Sequence, residues 1–133
     1  MKFALQFIIF IICSVPLSGQ KISKANAGQK EIIFENIDVA HAKKIMAASN
    51  NFVLLDVRTP EEIANGKIDN AIEMDIKAPD FKEKLATLDK EKQYIVYCHA
   101  GGRSATAMQM MKDMGFKQVY NLISGYRAWP KNK

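Results

Sequence analysis

Tyr94-Ile95-Val96-Tyr97-Cys98-His99-Ala100-Gly101-Gly102-Arg103-Ser104 is the stretch on which the reading of this chain turns. Tyr94 to Tyr97 is an apolar run of strand length, and it ends on a cysteine. Small residues and two glycines follow, and then an apolar-patterned segment, Ala105 to Met114, predicts a helix. A cysteine between a strand end and a helix start is expected at an exposed rim. Gly101 and Gly102 let the backbone turn tightly with φ > 0. Successive N–H groups in such a turn can converge into an anion-binding nest, and the helix that follows adds its positive end. The species that this arrangement would stabilise is a sulfur anion.

Outward from that loop, strands and helices alternate. Glu31 to Ile37 predicts a first strand, and Asp38 is placed to cap a helix from Val39 to about Ala48. Phe52 to Arg58 begins as a continuous apolar run, as expected of a strand covered on both faces. Thr59, Pro60 and Glu62 have the spacing of an N-cap, a first helical proline and a capping box, and that short helix stops at Asn65-Gly66. Ala71 to Ile76 predicts another strand. Pro79-Asp80 starts a helix to about Leu88, with Phe81, Leu85 and Leu88 on its inner face. Gly115 ends the helix after the cysteine loop, Gln118 to Ile123 predicts the last strand, and Ser124 to Trp129 makes a closing turn. The alternation predicts an α/β fold, a mostly parallel sheet with helices on both faces, in one domain over residues 31–130. Ligands of such sheets bind beyond the carboxyl ends of the strands, where Cys98 and Asp56-Val57-Arg58 both fall.

Composition narrows the function. The net charge is +5, but three of the 19 basic residues, Lys2, Lys21 and Lys24, precede Gly28, and all 14 acidic residues follow it. The folded part is close to neutral and has no basic run that would point to nucleic acid. Lys2 followed by the apolar Phe3–Val15 and by Pro16 has the form of a secretory signal peptide over residues 1–19, with cleavage between 19 and 27 and a linker over 20–30. A spanning helix needs roughly 20 apolar residues, so an uncleaved membrane anchor is the alternative and export to the periplasm the expectation. Cys13 lies in this leader. Cys98 is then the lone cysteine of the mature chain: unable to form an internal disulfide, it is a reactive thiol, an intermolecular partner or an inert core residue. Its glycine and arginine neighbours disfavour the core.

Three stretches in order, Leu55-Asp56-Val57-Arg58-Thr59-Pro60-Glu61-Glu62, Cys98 to Ser104, and Gly125-Tyr126-Arg127-Ala128-Trp129, resemble a single-domain rhodanese over about residues 31–130. The resemblance implies the rhodanese-like fold and sulfur transfer through a persulfide on Cys98. It also implies that His99, Ala100, Gly101, Gly102, Arg103 and Ser104 form the loop that binds the anionic sulfur. The donor would be a small anion such as thiosulfate and the acceptor cyanide, a thiol or a protein partner, with no metal or organic cofactor. The alternative is a persulfide carrier that serves a protein partner with little turnover of its own. Four residues separate Cys98 from Arg103, where cysteine phosphatases carry five. The smaller ring of amides suits one added sulfur better than a phosphate, which ranks a phosphatase or arsenate reductase lower.

The physical reading of the side chains agrees. Thiolate, not thiol, attacks sulfur, and an ordinary cysteine has a pKa of about 8.5, which loop amides, helix ends and cations lower. Arg103 is placed to turn its guanidinium to the loop mouth and hold an anion. Ser104 is expected either to cap the following helix or to donate to the sulfur. Asp56 and Arg58 match family positions, with a structural ion pair or strand-end hydrogen bonds (Arg58 with Glu62) the simpler reading of them. Lys67 stands where the family often has His, Asp69-Asn70 where it has Pro-Gly, and Ile63 where it has an aromatic. His41 reads as structural, and Met108, Met110, Met111 and Met114 as core.

Overall fold

The computed structural model describes residues 28–131. The leader, Cys13 and most of the linker lie outside them. The elements run β1 (Ile33–Ile37), α1 (Val39–Ala48), β2 (Phe52–Asp56), α2 (Pro60–Ile63), β3 (Ile72–Glu73), α3 (Phe81–Ala86), β4 (Gln93–Tyr97), α4 (Gly102–Asp113), β5 (Gln118–Leu122) and a closing 3₁₀ turn, Tyr126–Ala128. The five strands form one sheet in the order β1-β5-β4-β2-β3, and every pairing is parallel.

The period of two along each strand splits the core into two layers. Tyr94, Val96 and Cys98 join Leu55 and Val57 on the face covered by Phe81 and Leu85 of α3 and by Ala107 and Met111 of α4. Ile95 and Tyr97 join Leu54 on the opposite face, under Ala42 of α1, Ile68, Ala71 and Tyr126. Right-handed crossovers explain which helix covers which face. The steps from β1 to β2 and from β2 to β3 run across the sheet in one direction, and those from β3 to β4 and from β4 to β5 run back. Their connections therefore pack on opposite faces. β2 and β4 are neighbours whose following segments part to opposite sides, which opens a crevice at their carboxyl ends. Asp56–Arg58 and Cys98 sit there.

Four expectations need correction. The strand predicted over Ala71–Ile76 pairs only at Ile72–Glu73, and beyond it Met74 and Ile76 donate singly to the carbonyls of Asp56 and Val57. It is an edge with one neighbour, so little holds it to a regular ladder. α3 stops at Ala86 instead of Leu88, because the Thr87 hydroxyl donates to the Lys84 carbonyl at 2.7 Å and Leu88 closes a tighter turn onto Leu85. α4 begins at Gly102, three residues before Ala105, because Gly101 at φ +98° turns the chain straight into the helix. Cys98, expected at an exposed rim, is at the rim but only 1% exposed, since the loop folds over its sulfur.

Candidate active site

The loop after β4 is built on two backbone positions that only glycine fits. A Cβ at Gly101, φ +98°, would lie 2.2 Å from the Ile123 carbonyl oxygen. A Cβ at Gly125, φ +58°, would lie 2.3 Å from the His99 carbonyl oxygen and 2.6 Å from that of Cys98. With no side chain at residue 125, the closing turn comes close enough to clamp the loop: Tyr126 N–H donates to the Cys98 carbonyl at 2.8 Å and Arg127 N–H to that of His99 at 3.1 Å. The carbonyls are thus tied outward while the amides on the other side are left for the sulfur.

Cys98 Sγ accepts the Gly101 N–H at 3.1 Å and lies 3.4 Å from Ser104 Oγ. Burial pushes the thiol pKa up, but the Ser104 hydroxyl and the amides of Ser104, Ala100 and Gly101 outweigh it, so the thiol is more acidic than an ordinary cysteine. Charge-assisted hydrogen bonds to an anion are stronger than those to a neutral thiol, which is the physical source of that shift. Ser104 is the third residue of α4, and its hydroxyl reaches the sulfur and, at 3.2 Å, the Gly101 carbonyl.

Arg103 does not turn to an open loop mouth. Its guanidinium grips the Glu62 carboxylate in a bidentate pair, Nη1 to Oε2 and Nη2 to Oε1, both at 2.7 Å. The pair spans the crevice from α4 to α2. Glu62 also accepts the Thr59 N–H at 3.2 Å in the capping box that the sequence predicts. The Arg103 hydrogen bonds hold the Glu62 carboxyl down at about 2.

Arg58 and Asp56 form a second pair, and this one is buried. Arg58 Nη2 meets Asp56 Oδ2 at 2.7 Å, and Nε meets Oδ1 at 3.0 Å. The remaining donors go to the Gly66 carbonyl at 2.9 Å and weakly to the Glu62 carbonyl. The guanidinium also lies 4.2 Å from the Tyr126 ring centroid, a stacked cation–π contact. Both side chains are at most 2% exposed, and neither has a hydrogen bond to Cys98. The expected Arg58–Glu62 contact therefore exists only through Glu62's backbone.

His99 and Ala100 are exposed on the loop's outer side. A cleft of about 350 Å³ opens beside it, lined by His99, Arg58, Glu62, Asn65, Tyr126 and Lys131. Among the described residues no group of three His, Cys, Asp or Glu is placed to hold a metal, and no helix is long and apolar enough to cross a membrane.

Sequence reasoning missed two residues of this site. The sequence places Glu62 in a capping box and beside Arg58 but not against Arg103, which lies 41 positions away. Asn121 was absorbed into a strand, yet it is buried and its amide donates to the Gly101 carbonyl at 3.3 Å. The signal was a polar side chain in the middle of an apolar run. The departures from the family pattern are accommodated locally. Asn70 adopts φ +62°, a conformation that asparagine tolerates where glycine is usual, and Lys67 pairs with Glu73.

The family model for the rhodanese-like domain matches residues 38–132. The chain is 38% identical over 103 residues to YtwF of Bacillus subtilis (strain 168), covering 74% of this chain and 97% of that one. It is 34% identical over 107 residues to thiosulfate sulfurtransferase 16, chloroplastic, of Arabidopsis thaliana, covering 73% of this chain and 88% of the relative. Among solved structures, a rhodanese-like domain protein from Staphylococcus aureus superposes with a TM-score of 0.66 at 28% identity, covering 74% of this chain and 93% of that one.

Proposed function

The chain belongs to the rhodanese-like domain family, and from that premise we propose that it is a sulfurtransferase in which Cys98 carries a sulfane sulfur from a donor such as thiosulfate to cyanide or a thiol. The observation that carries this reading is the hydrogen bonding of the Cys98 sulfur, which accepts the Gly101 amide at 3.1 Å and faces the Ser104 hydroxyl at 3.4 Å. Relatives named as sulfurtransferases support it.

In the first half-reaction the Cys98 thiolate attacks the outer sulfur of thiosulfate. The donor's S–S bond breaks, sulfite leaves with that electron pair, and a new S–S bond joins the sulfur to Cys98. In the second, cyanide or a thiolate attacks the same outer sulfur. The Cys98 S–S bond breaks, its electron pair returns to Sγ, and the product is thiocyanate or a persulfide. No outside oxidant or reductant enters the cycle. The loop from His99 to Ser104 stabilises the thiolate and then the charge on the added sulfur with donors already in place, so little reorganisation is needed at the moment of transfer. Four residues between Cys98 and Arg103 leave room for one sulfur more readily than for a phosphate.

A second reading is favoured by one observation. Cys98 is 1% exposed, with Arg103 of its loop already held by a carboxylate. A carrier that receives sulfur only from a docked protein partner would have these features. Steady-state thiosulfate:cyanide turnover and intact-mass analysis of the purified protein separate the two. An enzyme turns over and shows a one-sulfur mass increment that cyanide removes. A carrier shows the increment with negligible turnover. Cys98→Ser is expected to lose on the order of 10³-fold or more in rate, as removal of a covalent nucleophile does. Full turnover in that variant overturns the assignment. Phosphate or arsenate turnover without sulfur transfer overturns the substrate class. We also propose export on the strength of Lys2 and Phe3–Val15. Cell fractionation that finds the chain cytoplasmic and unprocessed overturns that.

A further inference from the structure

Asn121 lies on β5 under the cysteine loop and is 2% exposed. Its side-chain nitrogen is 2.9 Å from Asn36 Oδ1 on β1 and 3.3 Å from the Gly101 carbonyl oxygen. Its own Oδ1 is buried with no partner. The orientation of this amide follows from the Gly101 carbonyl: reversed, it would set an oxygen against that oxygen. A buried acceptor left empty weakens a fold, and leucine would fill the same space without that cost. What the asparagine supplies is a donor aimed at the loop.

The Gly101 carbonyl has more donors within reach than it can use. Ala105 N–H stands at 3.1 Å, Ser104 Oγ at 3.2 Å and Asn121 Nδ2 at 3.3 Å. A carbonyl oxygen offers two lone pairs. Ser104 has a single hydroxyl proton and two acceptors to choose from, this carbonyl and the Cys98 sulfur at 3.4 Å. We propose that Asn121 is a positioning residue: with Ala105 it fills the Gly101 carbonyl, and so turns the Ser104 hydroxyl proton onto the Cys98 sulfur. The Ser104 side chain is the largest influence that makes this thiol acidic, and Asn121 decides whether that influence is delivered. The other charged groups around the loop are not altered by changing Asn121. Arg103 of α4 bears on the sulfur with Glu62 and Asp75 around it, Asp56 and Arg58 of the β2 end are paired with each other, and His99 lies on the outer side.

The inference rests on the reading of Cys98 as the reactive thiol, but its test needs no sulfur transfer. The purified full chain is alkylated with iodoacetamide across a pH series, and the Cys98 peptide is followed by mass spectrometry so that Cys13 does not contribute. Ser104→Ala is expected to raise the apparent pKa of Cys98 by about one unit, the worth of one hydrogen bond to a charged group. Asn121→Leu is expected to raise it by roughly half a unit to one. In the Ser104→Ala background, Asn121→Leu is expected to add less than about 0.3 of a unit, because the two changes act on one proton. No rise with Asn121→Leu alone, or an equal rise with and without Ser104, overturns the proposal. Should Asn121→Leu fail to fold, Asn36→Ala removes the acceptor that anchors the amide from an exposed edge position and is judged by the same two criteria. A wild-type thiol that titrates low but never takes up sulfur would sink the proposed function and leave this coupling standing.

Discussion

Two neighbouring strands end on the same rim and treat their polar groups in opposite ways. At the end of β2, Arg58 finds the Asp56 carboxylate, the Gly66 carbonyl and two tyrosine rings. At the end of β4, the Cys98 sulfur receives hydrogen-bond donors, and the arginine five residues on is committed to Glu62. A buried ion pair with an acceptor at each guanidinium nitrogen has little left to offer a passing substrate, so it serves the architecture. A sulfur whose polar partners are all donors is stabilised most when it carries charge, so it is poised for chemistry. Position on a rim is therefore a poor guide to role, and the bookkeeping of partners is a better one.

The contrast can be broken most forcefully at the β2 end. Asp56→Ala leaves Arg58 buried without its counter-ion and is expected to cost about 3–5 kcal/mol, read from the midpoint of urea unfolding. Replacing both partners by apolar residues, Asp56→Leu with Arg58→Met, is expected to recover most of that loss. If the double variant were as unstable as the single one, the pair would matter for more than its own balance.

Gly125→Ala attacks the β4 end instead. It places a methyl group 2.3 Å from the His99 carbonyl in a backbone conformation that costs about 1–3 kcal/mol for a residue with a side chain. The loop must shift to relieve it. Transfer activity is expected to fall well beyond the loss of folded protein, and thermal melting measured beside turnover separates the two.

The smallest expected effect sharpens the comparison at the bridge between the two ends. Glu62→Gln weakens its hold on Arg103 and is expected to lower KM for thiosulfate a few-fold with kcat nearly unchanged. It should cost about 0.5–1 kcal/mol, since the pair is part-exposed. Its pH signature has a definite sign. The folded-state value, about 2, lies below the ordinary 4.5. The pair's contribution is therefore complete above 4.5 and is lost as pH falls toward 2. Unfolding midpoints between pH 5 and 2 should lose part of their slope in Glu62→Gln; an unchanged slope would remove this carboxylate from the acid response.

What could be read from the residues divides along the range of the interactions. The apolar runs at Phe52 and Tyr94, the glycines after Cys98 and the Thr59–Glu62 box are local patterns, and each lies where it was expected. The early start of α4 was hidden because the glycines that suggested a turn also let that turn merge with a helix. The brevity of β3 was hidden because Ala71–Ile76 has strand composition but only one neighbour to pair with. The destination of the Arg103 guanidinium and the donor from Asn121 depend on residues 41 and 20 positions away. Nothing in the spacing around Cys98 points to either.

The clamp on the cysteine loop comes from Gly125, Tyr126 and Arg127, which follow every other element of the fold. Synthesis delivers this turn after the five strands and the helices between them. A nascent chain can thus assemble its sheet and lay down the segment around Cys98 before the amides that fasten it exist. The loop geometry that gathers donors around the Cys98 sulfur is therefore complete only once the closing turn has docked on it.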